Sequence, residues 1–201
     1  MAKGEQAVEE QDVRPRAPVR GIDLEMLGGA VGLFREQPEA ATVTIRTRHL
    51  WDEGFAVNGR AEEIEEGGEV TKRSFRFRTD WPPEIGGRDS GPSPGELLLG
   101  ALGACVAMTY VTKAATRGIQ IDGLEVRIEA SVDFRGVFEL DSVRAGLSRA
   151  KIAVVVESSA DDATLEEIAA STRRSSAVYD SIANPVPVDL SVRRRSQGDR
   201  T

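Results

Sequence analysis

The stretch GPSPGELLLGALGACVAMTYVTKAATRG, residues 91–118, decides the fold. Ser93 is suited to cap a helix, Pro94 to occupy its first position, and Glu96, three residues after the cap, completes a capping box. Apolar and small residues then continue without interruption until Gly118, which suits the left-handed conformation that ends a helix. The stretch therefore predicts one helix of about 24 residues, or roughly 36 Å.

This helix runs to about Arg117 and is apolar on all its sides, so we expect protein to enclose it. Its longest apolar run, Leu97 to Val111, is shorter than the roughly 18 residues that indicate a membrane span, which favours a buried helix and no membrane contact. Several of its residues are small enough to permit close approach of a neighbouring backbone: Gly100, Ala101, Gly103, Ala104 and Ala107.

The chain before this helix predicts one short helix and a sheet. Residues 22–36 have helical spacing of apolar residues and are followed by Pro38. Alternation then predicts at least three strands, the first of them half-buried, with an acidic turn, EEIEEGGE, before the last. The strand segments are ATVTIRTRHL (41–50), FAVNGR (55–60) and VTKRSFRFRT (70–79). The proline-rich and glycine-rich segment 80–94 is a predicted loop.

After the long helix we expect the sheet to resume. LEVRIEASVDF (124–134) alternates strictly, and the continuous apolar run of AKIAVVVES (150–158) is typical of a central strand. DDATLEEIAASTRR (161–174) predicts a second core helix with Leu165, Ile168 and Ala169 inward. SSAVYDSI (175–182) restarts that helix before Asn184 and Pro185, and VPVDLSVRR (186–194) predicts a last strand. Strand runs divided by only two core helices indicate an α+β fold rather than a doubly wound sheet.

Composition excludes several functions. The 201 residues carry 26 Lys and Arg against 33 Asp and Glu, a net charge of −7, which disfavours a nucleic-acid partner. One cysteine, Cys105, and one histidine, His49, exclude an internal disulfide, a cysteine-rich zinc site and a histidine cluster, so we predict neither metal nor cofactor. His49 is interpreted as structural.

The ends of the chain lack a periodic apolar face. We expect residues 1–20 to be a disordered leader, 21–195 a single domain and 196–201 a disordered tail. The leader has no apolar signal segment and too many acids for a transit peptide, which favours a cytoplasmic protein.

Two segments resemble the OsmC/Ohr family. The first is GPSPGELLLGALGACVAMT (91–109), which is similar to the family's helix that leads from a Pro-x-Glu-Leu-Leu stretch to a reactive cysteine. The other is RRSSAVYDSIANPVPV (173–188), which is similar to the segment where the family's second helix begins. The similarity covers roughly residues 22–195. The resemblance implies an intertwined homodimer with antiparallel sheets and a long buried central helix. It also implies that the protein reduces organic hydroperoxides with a cysteine pair, assisted by an arginine and a glutamate.

Carried over to this chain, the resemblance makes Cys105 the peroxide-attacking thiol. The second cysteine falls on Ser176, which cannot form a disulfide. The glutamate falls on Gly95, with Glu96 as its neighbour. The arginine comes from an early strand or its loop, with Arg60 as the main candidate and Arg46, Arg48 and Arg88 as alternatives.

Each candidate also has a structural interpretation: an inert core thiol for Cys105, the capping box for Glu96, and a turn arginine for Arg60. Two hypotheses follow. The first is a thiol peroxidase that uses Cys105 on apolar hydroperoxides with an external thiol as its resolving partner. The second is a non-catalytic dimer of the same fold that binds a small molecule or has a structural role in stress.

Overall fold

The computed structural model describes residues 20–194, which begin with the predicted first helix, α1 (Leu24–Glu36). The carboxylate of Asp23 caps α1 by accepting the N–H of Met26 at 2.9 Å. A 3-10 turn, Pro38–Ala41, follows directly. Residues next to α1 therefore determine where the helix begins and where it ends.

Four antiparallel strands form the first sheet. They are β1 (Val43–Trp51), β2 (Val57–Glu66), β3 (Glu69–Lys72) and β4 (Arg76–Thr79). β2 is central, with β1 on one side and β3 and β4 sharing the other. The predicted sheet of at least three strands is confirmed.

Two details of this sheet were predicted wrongly. Residues 62–66 of the supposed acidic turn extend β2, and only Gly67 and Gly68, with φ of 55° and 83°, turn the chain. The stretch 70–79 forms two strands rather than one. Lys72 pairs with Glu63 and Arg76 pairs with Arg60, so the stretch advances four residues where β2 advances only three. The extra residue makes a bulge that separates β3 from β4.

The alternation of β1 is present but does not bury it. All nine of its residues are exposed, and Ile45 retains 67% of its accessible surface. The prediction of a half-buried strand is wrong for the chain taken alone, because no other segment of residues 20–194 covers this face of the sheet.

The loop between β4 and the long helix is organised by Asp80, which is 2% exposed. Its carboxylate accepts the N–H groups of Trp81, Arg88 and Ser90 and the Ser90 hydroxyl, at 2.8–3.3 Å. One buried carboxylate thus fixes the chain that delivers the next helix.

The long helix, α2 (Pro94–Ala115), has 22 residues and ends two residues before the predicted Arg117. The predicted capping box is confirmed: Ser93 Oγ accepts the Glu96 N–H at 3.3 Å, and Glu96 Oε2 accepts the Ser93 N–H at 2.7 Å. Gly118 adopts φ +71° as expected.

Only one face of α2 is buried in this chain. The buried residues follow the spacing of one helix face: Leu102, Val106, Tyr110, Ala114 and Ala115. Met108 is 63% exposed and Leu98 41%. Residues 20–194 cover a single face of α2, so enclosure of its other faces stays a prediction that depends on a second copy of the chain. By length and composition alone, α2 is the one helix of this described range that could cross a membrane.

The sheet does not resume after α2. β5 (Gly123–Ser131) and β6 (Arg149–Glu157) form a separate antiparallel pair, and within the described residues β6 is paired along one edge only. The prediction of a central strand was wrong: alternate residues of β6 are exposed, Val155 by 47%, so its apolar run indicates neither two buried faces nor two paired edges.

Three helices complete the fold: α3 (Phe134–Val137), α4 (Asp162–Ser175) and α5 (Ala177–Ala183). α4 presents Ile168 to Tyr110 and Ile121 in the core, and the Tyr110 hydroxyl donates to the carbonyl of Leu165 at 3.1 Å. The predicted helix, its restart and its end at Asn184 are confirmed.

The predicted last strand is absent from the described chain. Residues 186–194 form no ladder, and their alternate apolar side chains are 55–92% exposed: Val186, Val188, Leu190 and Val192. The prediction was wrong because alternation alone does not make a strand: the segment pairs with none of the strand edges of the described chain.

The α+β class with antiparallel sheets and a long helix is confirmed. The predicted tail and all of the predicted leader except Arg20 lie outside the described residues.

Candidate functional site

The candidate site is the meeting point of α2 with the junction of α4 and α5. Cys105 lies in the middle of α2 and is half-buried. Ser176 ends α4 and begins α5, and its side chain is completely buried. The Ser176 hydroxyl donates to Cys105 Sγ at 3.2 Å. The structure thus brings together the two residues that the resemblance paired.

Four donors surround the sulfur. Burial raises the pKa of Cys105, but the Ser176 hydroxyl, the N–H groups of Val178 and Ala177 and the Thr109 hydroxyl together outweigh it. The pKa of this thiol is therefore below its ordinary value. Because hydrogen bonds from neutral donors favour the charged form, the site stabilises a thiolate without a cation.

Sequence reasoning missed three of these donors. Thr109 follows Cys105 by four residues on α2, and this i, i+4 spacing was the signal that both lie on one helix face. The N–H groups of Ala177 and Val178 reach the sulfur because α5 begins beside it, which only the tertiary arrangement reveals.

Glu96 does not reach Cys105 within the chain. Nine residues of helix separate them, which corresponds to about 13.5 Å of rise and opposite helix faces. Hydrogen bonds from the Ser93 hydroxyl and N–H lower the pKa of Glu96 and hold it in the capping box. A role for Glu96 at the thiol stays a prediction and would require a second copy of the chain.

The arginine candidates are also placed elsewhere. Arg60 donates to Glu62 on its own strand at 2.5 and 3.1 Å, and none of its hydrogen bonds or ion pairs within residues 20–194 involves Cys105. Arg46 pairs with Glu65 at 2.8 Å and Arg88 with Glu53, while Arg48 lies 3.9 Å from Glu62. His49 lies edge-on against Phe77, a packing position.

One cavity lies beside the site and another at the start of α2. One, of about 210 Å³, is formed by α2, α4, α5 and β6 and is lined by Val106, Tyr110 and Tyr179 among others. Another, of about 650 Å³, lies at the start of α2 and combines Glu96 with Trp81 and Phe134. No local sequence pattern indicates this aromatic cavity, because its walls come from segments more than fifty residues apart.

Comparisons with known proteins concern the family and the fold of the chain. The family model described as OsmC-like protein matches residues 87–191. No curated protein matches the chain. Among solved structures, an OsmC-like protein from Mycoplasma pneumoniae is 15% identical, with a TM-score of 0.56, over 71% of this chain and 89% of its own.

Two further structures are similar. A protein from Psychrobacter arcticus, described as an osmotic stress induced and detoxification response protein, is 19% identical with a TM-score of 0.53, over 69% of this chain and 88% of its own. An organic hydroperoxide resistance protein from Legionella pneumophila is 16% identical with a TM-score of 0.47, over 69% and 88%. At such identities the likeness to the first two shows a shared fold.

Proposed function

Because the matching family model spans more than half of it, the chain belongs to the OsmC-like protein family, and we propose that it is a one-cysteine thiol peroxidase that reduces organic hydroperoxides. The observation that carries the proposal is the hydrogen bond from buried Ser176 to Cys105, within a group of donors that lowers the pKa of the thiol. The thiolate is the form that attacks peroxides.

In the first step the Cys105 thiolate attacks the terminal oxygen of ROOH. The O–O bond breaks, an S–OH bond forms, and RO⁻ leaves and takes a proton from water to become the alcohol. Cys105 is oxidised to a sulfenic acid and the peroxide is reduced. The apolar surroundings of Cys105, such as Val106 and Leu102, suit an alkyl hydroperoxide better than hydrogen peroxide.

The second step needs a thiol from outside. Ser176 occupies the position beside the sulfur and cannot form a disulfide, and the chain has no other cysteine. An external thiol R′SH therefore attacks the sulfenic sulfur, releases water and forms a mixed disulfide. A second R′SH then releases R′SSR′ and restores Cys105.

Intact-mass analysis after treatment with tert-butyl hydroperoxide tests the proposal. We expect one added oxygen on Cys105 first, two and three at excess peroxide, and a mixed disulfide when a small thiol is present. Met26, which is 73% exposed and lies on α1 away from the proposed dimer face, serves as the internal control for general oxidation. Oxidised Met26 together with an unmodified Cys105 would rule out the enzyme.

One observation favours the alternative of a non-catalytic protein that binds a small molecule or has a structural role in stress. Within residues 20–194, no arginine or lysine forms a hydrogen bond or ion pair with Cys105. A mass spectrum without Cys105 oxidation, combined with binding of an apolar ligand, would support this alternative.

We also propose that the protein is a homodimer. The exposed faces of α2 and β1 and the segment 186–192 present large apolar side chains, including Met108, Ile45 and Leu190. Large exposed apolar patches commonly mark surfaces that bind another protein. A second copy would cover the free face of α2, and a lone thiol without a disulfide partner suits the cytoplasm.

Sedimentation of matched variants tests the dimer. Met108→Asp places a charge on the free face of α2, whereas Met26→Asp places one on α1 at similar exposure. We expect wild type and M26D to be dimers. We expect M108D to be dissociated or unstable. A well-folded wild-type monomer at micromolar concentration would refute the proposal.

A further inference from the structure

An arginine row crosses the solvent side of the first sheet. In the strand register, Arg48 of β1 lies directly opposite Arg60 of β2, and Arg60 lies directly opposite Arg76 of β4. Three guanidinium groups therefore share one face on three neighbouring strands. Like charges placed directly opposite across a sheet destabilise it, so the row carries an electrostatic cost.

The row is only partly neutralised. Glu62 binds Arg60 at 2.5 Å and lies 3.9 Å from Arg48. The side chain of Arg76 forms no hydrogen bond or ion pair within residues 20–194. Three positive charges and one negative charge leave a net charge of about +2 on this face, in a chain whose net charge is −7.

The neighbouring arginine differs from the row. Arg78 donates to Asp52 at 3.0 Å, to Asn58 at 3.0 Å and to Ser90 at 2.9 Å. Its charge is balanced by Asp52 and its position is fixed by three partners. Arg78 therefore forms a rigid end wall for the row, while Arg76 keeps its donors available.

These arginines line a groove of about 470 Å³, whose other walls include Leu50, Gly59 and Phe77. The volume is within the range of small-molecule sites and exceeds what a bare inorganic anion fills. Guanidinium groups bind phosphate through paired N–H donors, and a phosphate monoester carries nearly two negative charges at pH 7.

We propose that this groove binds the phosphate group of a small organic phosphate ester. Arg60 and Arg76 donate to the phosphate oxygens, Arg48 adds charge, and Leu50 contacts the organic part. Arg48 and Arg60 are also candidates for the peroxidase arginine, whereas Arg76 is not. The groove uses none of the four donors around Cys105, so Arg76→Gln tests it separately from the proposed peroxidase activity.

Calorimetric titration of the full chain with phenyl phosphate at pH 7.5, with benzoate as a monoanionic comparison, tests the site. We expect phenyl phosphate to bind at least about tenfold more tightly than benzoate, because its charge matches the row. Arg76→Gln and Arg60→Gln should each weaken phenyl phosphate binding by about tenfold or more. Arg127→Gln, which removes an exposed arginine of β5 paired with Glu125, is the matched control and should have no effect.

Two further measurements separate the proposal from simple misfolding. Glu62→Gln removes the competing carboxylate and should tighten phenyl phosphate binding several-fold. Arg76→Gln relieves the cross-strand repulsion, so its melting temperature without ligand should equal or exceed that of wild type. Equal binding of phosphate ester and carboxylate, unchanged binding in R76Q, or weaker binding in folded E62Q would overturn the proposal.

Discussion

Replacing Ser176 with alanine is the sharpest test of the thiol site. The substitution removes one oxygen atom from a completely buried position and with it the hydrogen bond to Cys105 Sγ at 3.2 Å. A hydrogen bond to a charged group contributes about 1.5–3 kcal/mol, and a sulfur acceptor favours the lower end. Since about 1.4 kcal/mol corresponds to a factor of ten, the thiolate fraction at neutral pH should fall roughly tenfold.

The sign of the pH dependence follows from the chemistry. Only the thiolate reacts with iodoacetamide, so the rate of alkylation rises with pH through the pKa of Cys105. In wild type the midpoint of this rise should lie below that of a free thiol, because the donors around Cys105 lower its pKa despite burial. In Ser176→Ala the midpoint should move to higher pH, and at pH 7 alkylation should be about tenfold slower than in wild type. Above both midpoints the two proteins should react at similar rates.

Intact-mass measurement of alkylation against pH provides the readout, and Ser175→Ala is the matched control. The Ser175 hydroxyl donates to the Ser171 carbonyl at 2.9 Å, so its loss should leave the Cys105 profile unchanged. Equal rates for wild type and Ser176→Ala at pH 7 would refute the role of the serine. Slowing by the same factor at every pH would indicate altered access to the sulfur rather than an altered pKa.

Three other predictions follow from the geometry. Ser176→Cys should form a disulfide with Cys105 upon peroxide treatment and block the addition of two or three oxygens, measured by non-reducing intact mass. Gly59→Ala should destabilise the fold by about 1–3 kcal/mol in urea titration, because its Cβ would collide with the Phe77 ring. Asp80→Asn should lower the melting temperature at pH 7, and by less in acid. The Ser90 hydroxyl and nearby N–H groups lower the pKa of Asp80. Wild type itself therefore loses this stabilisation as the pH falls through that pKa.

Local signals were enough to predict most elements of this fold. The capping box of Ser93 and Glu96 and the positive φ of Gly118 bound α2 at the expected places, because each involves residues within one turn. Alternation predicted β1 and β5 for the same reason. Interactions between distant segments were harder: the strand predicted over 186–194 needs an edge that no local pattern can supply.

The residues of the candidate site also divide into those that the sequence indicates and those that only the tertiary structure reveals. Cys105 and Ser176 were paired by the resemblance to the family, and the structure places the two in contact. The contributions of Thr109 and of the Ala177 and Val178 N–H groups depend on how α5 begins beside α2. The roles predicted for Glu96 and Arg60 depend on a second chain and stay predictions.

Ser176 occupies the position where a second thiol would complete the chemistry, and this has a consequence for regulation. A hydroxyl that donates to the sulfur stabilises the thiolate before oxidation, but it offers no sulfur to capture the sulfenic acid afterwards. The lifetime of the oxidised state then depends on how readily an external thiol reaches a half-buried Cys105. If a second copy covers the free face of α2, the same contact that stabilises the helix narrows that access. Met108→Asp should then speed reduction of the sulfenic acid by bulky thiols more than by small ones, whereas equal acceleration of both would place the route to Cys105 away from the α2 face.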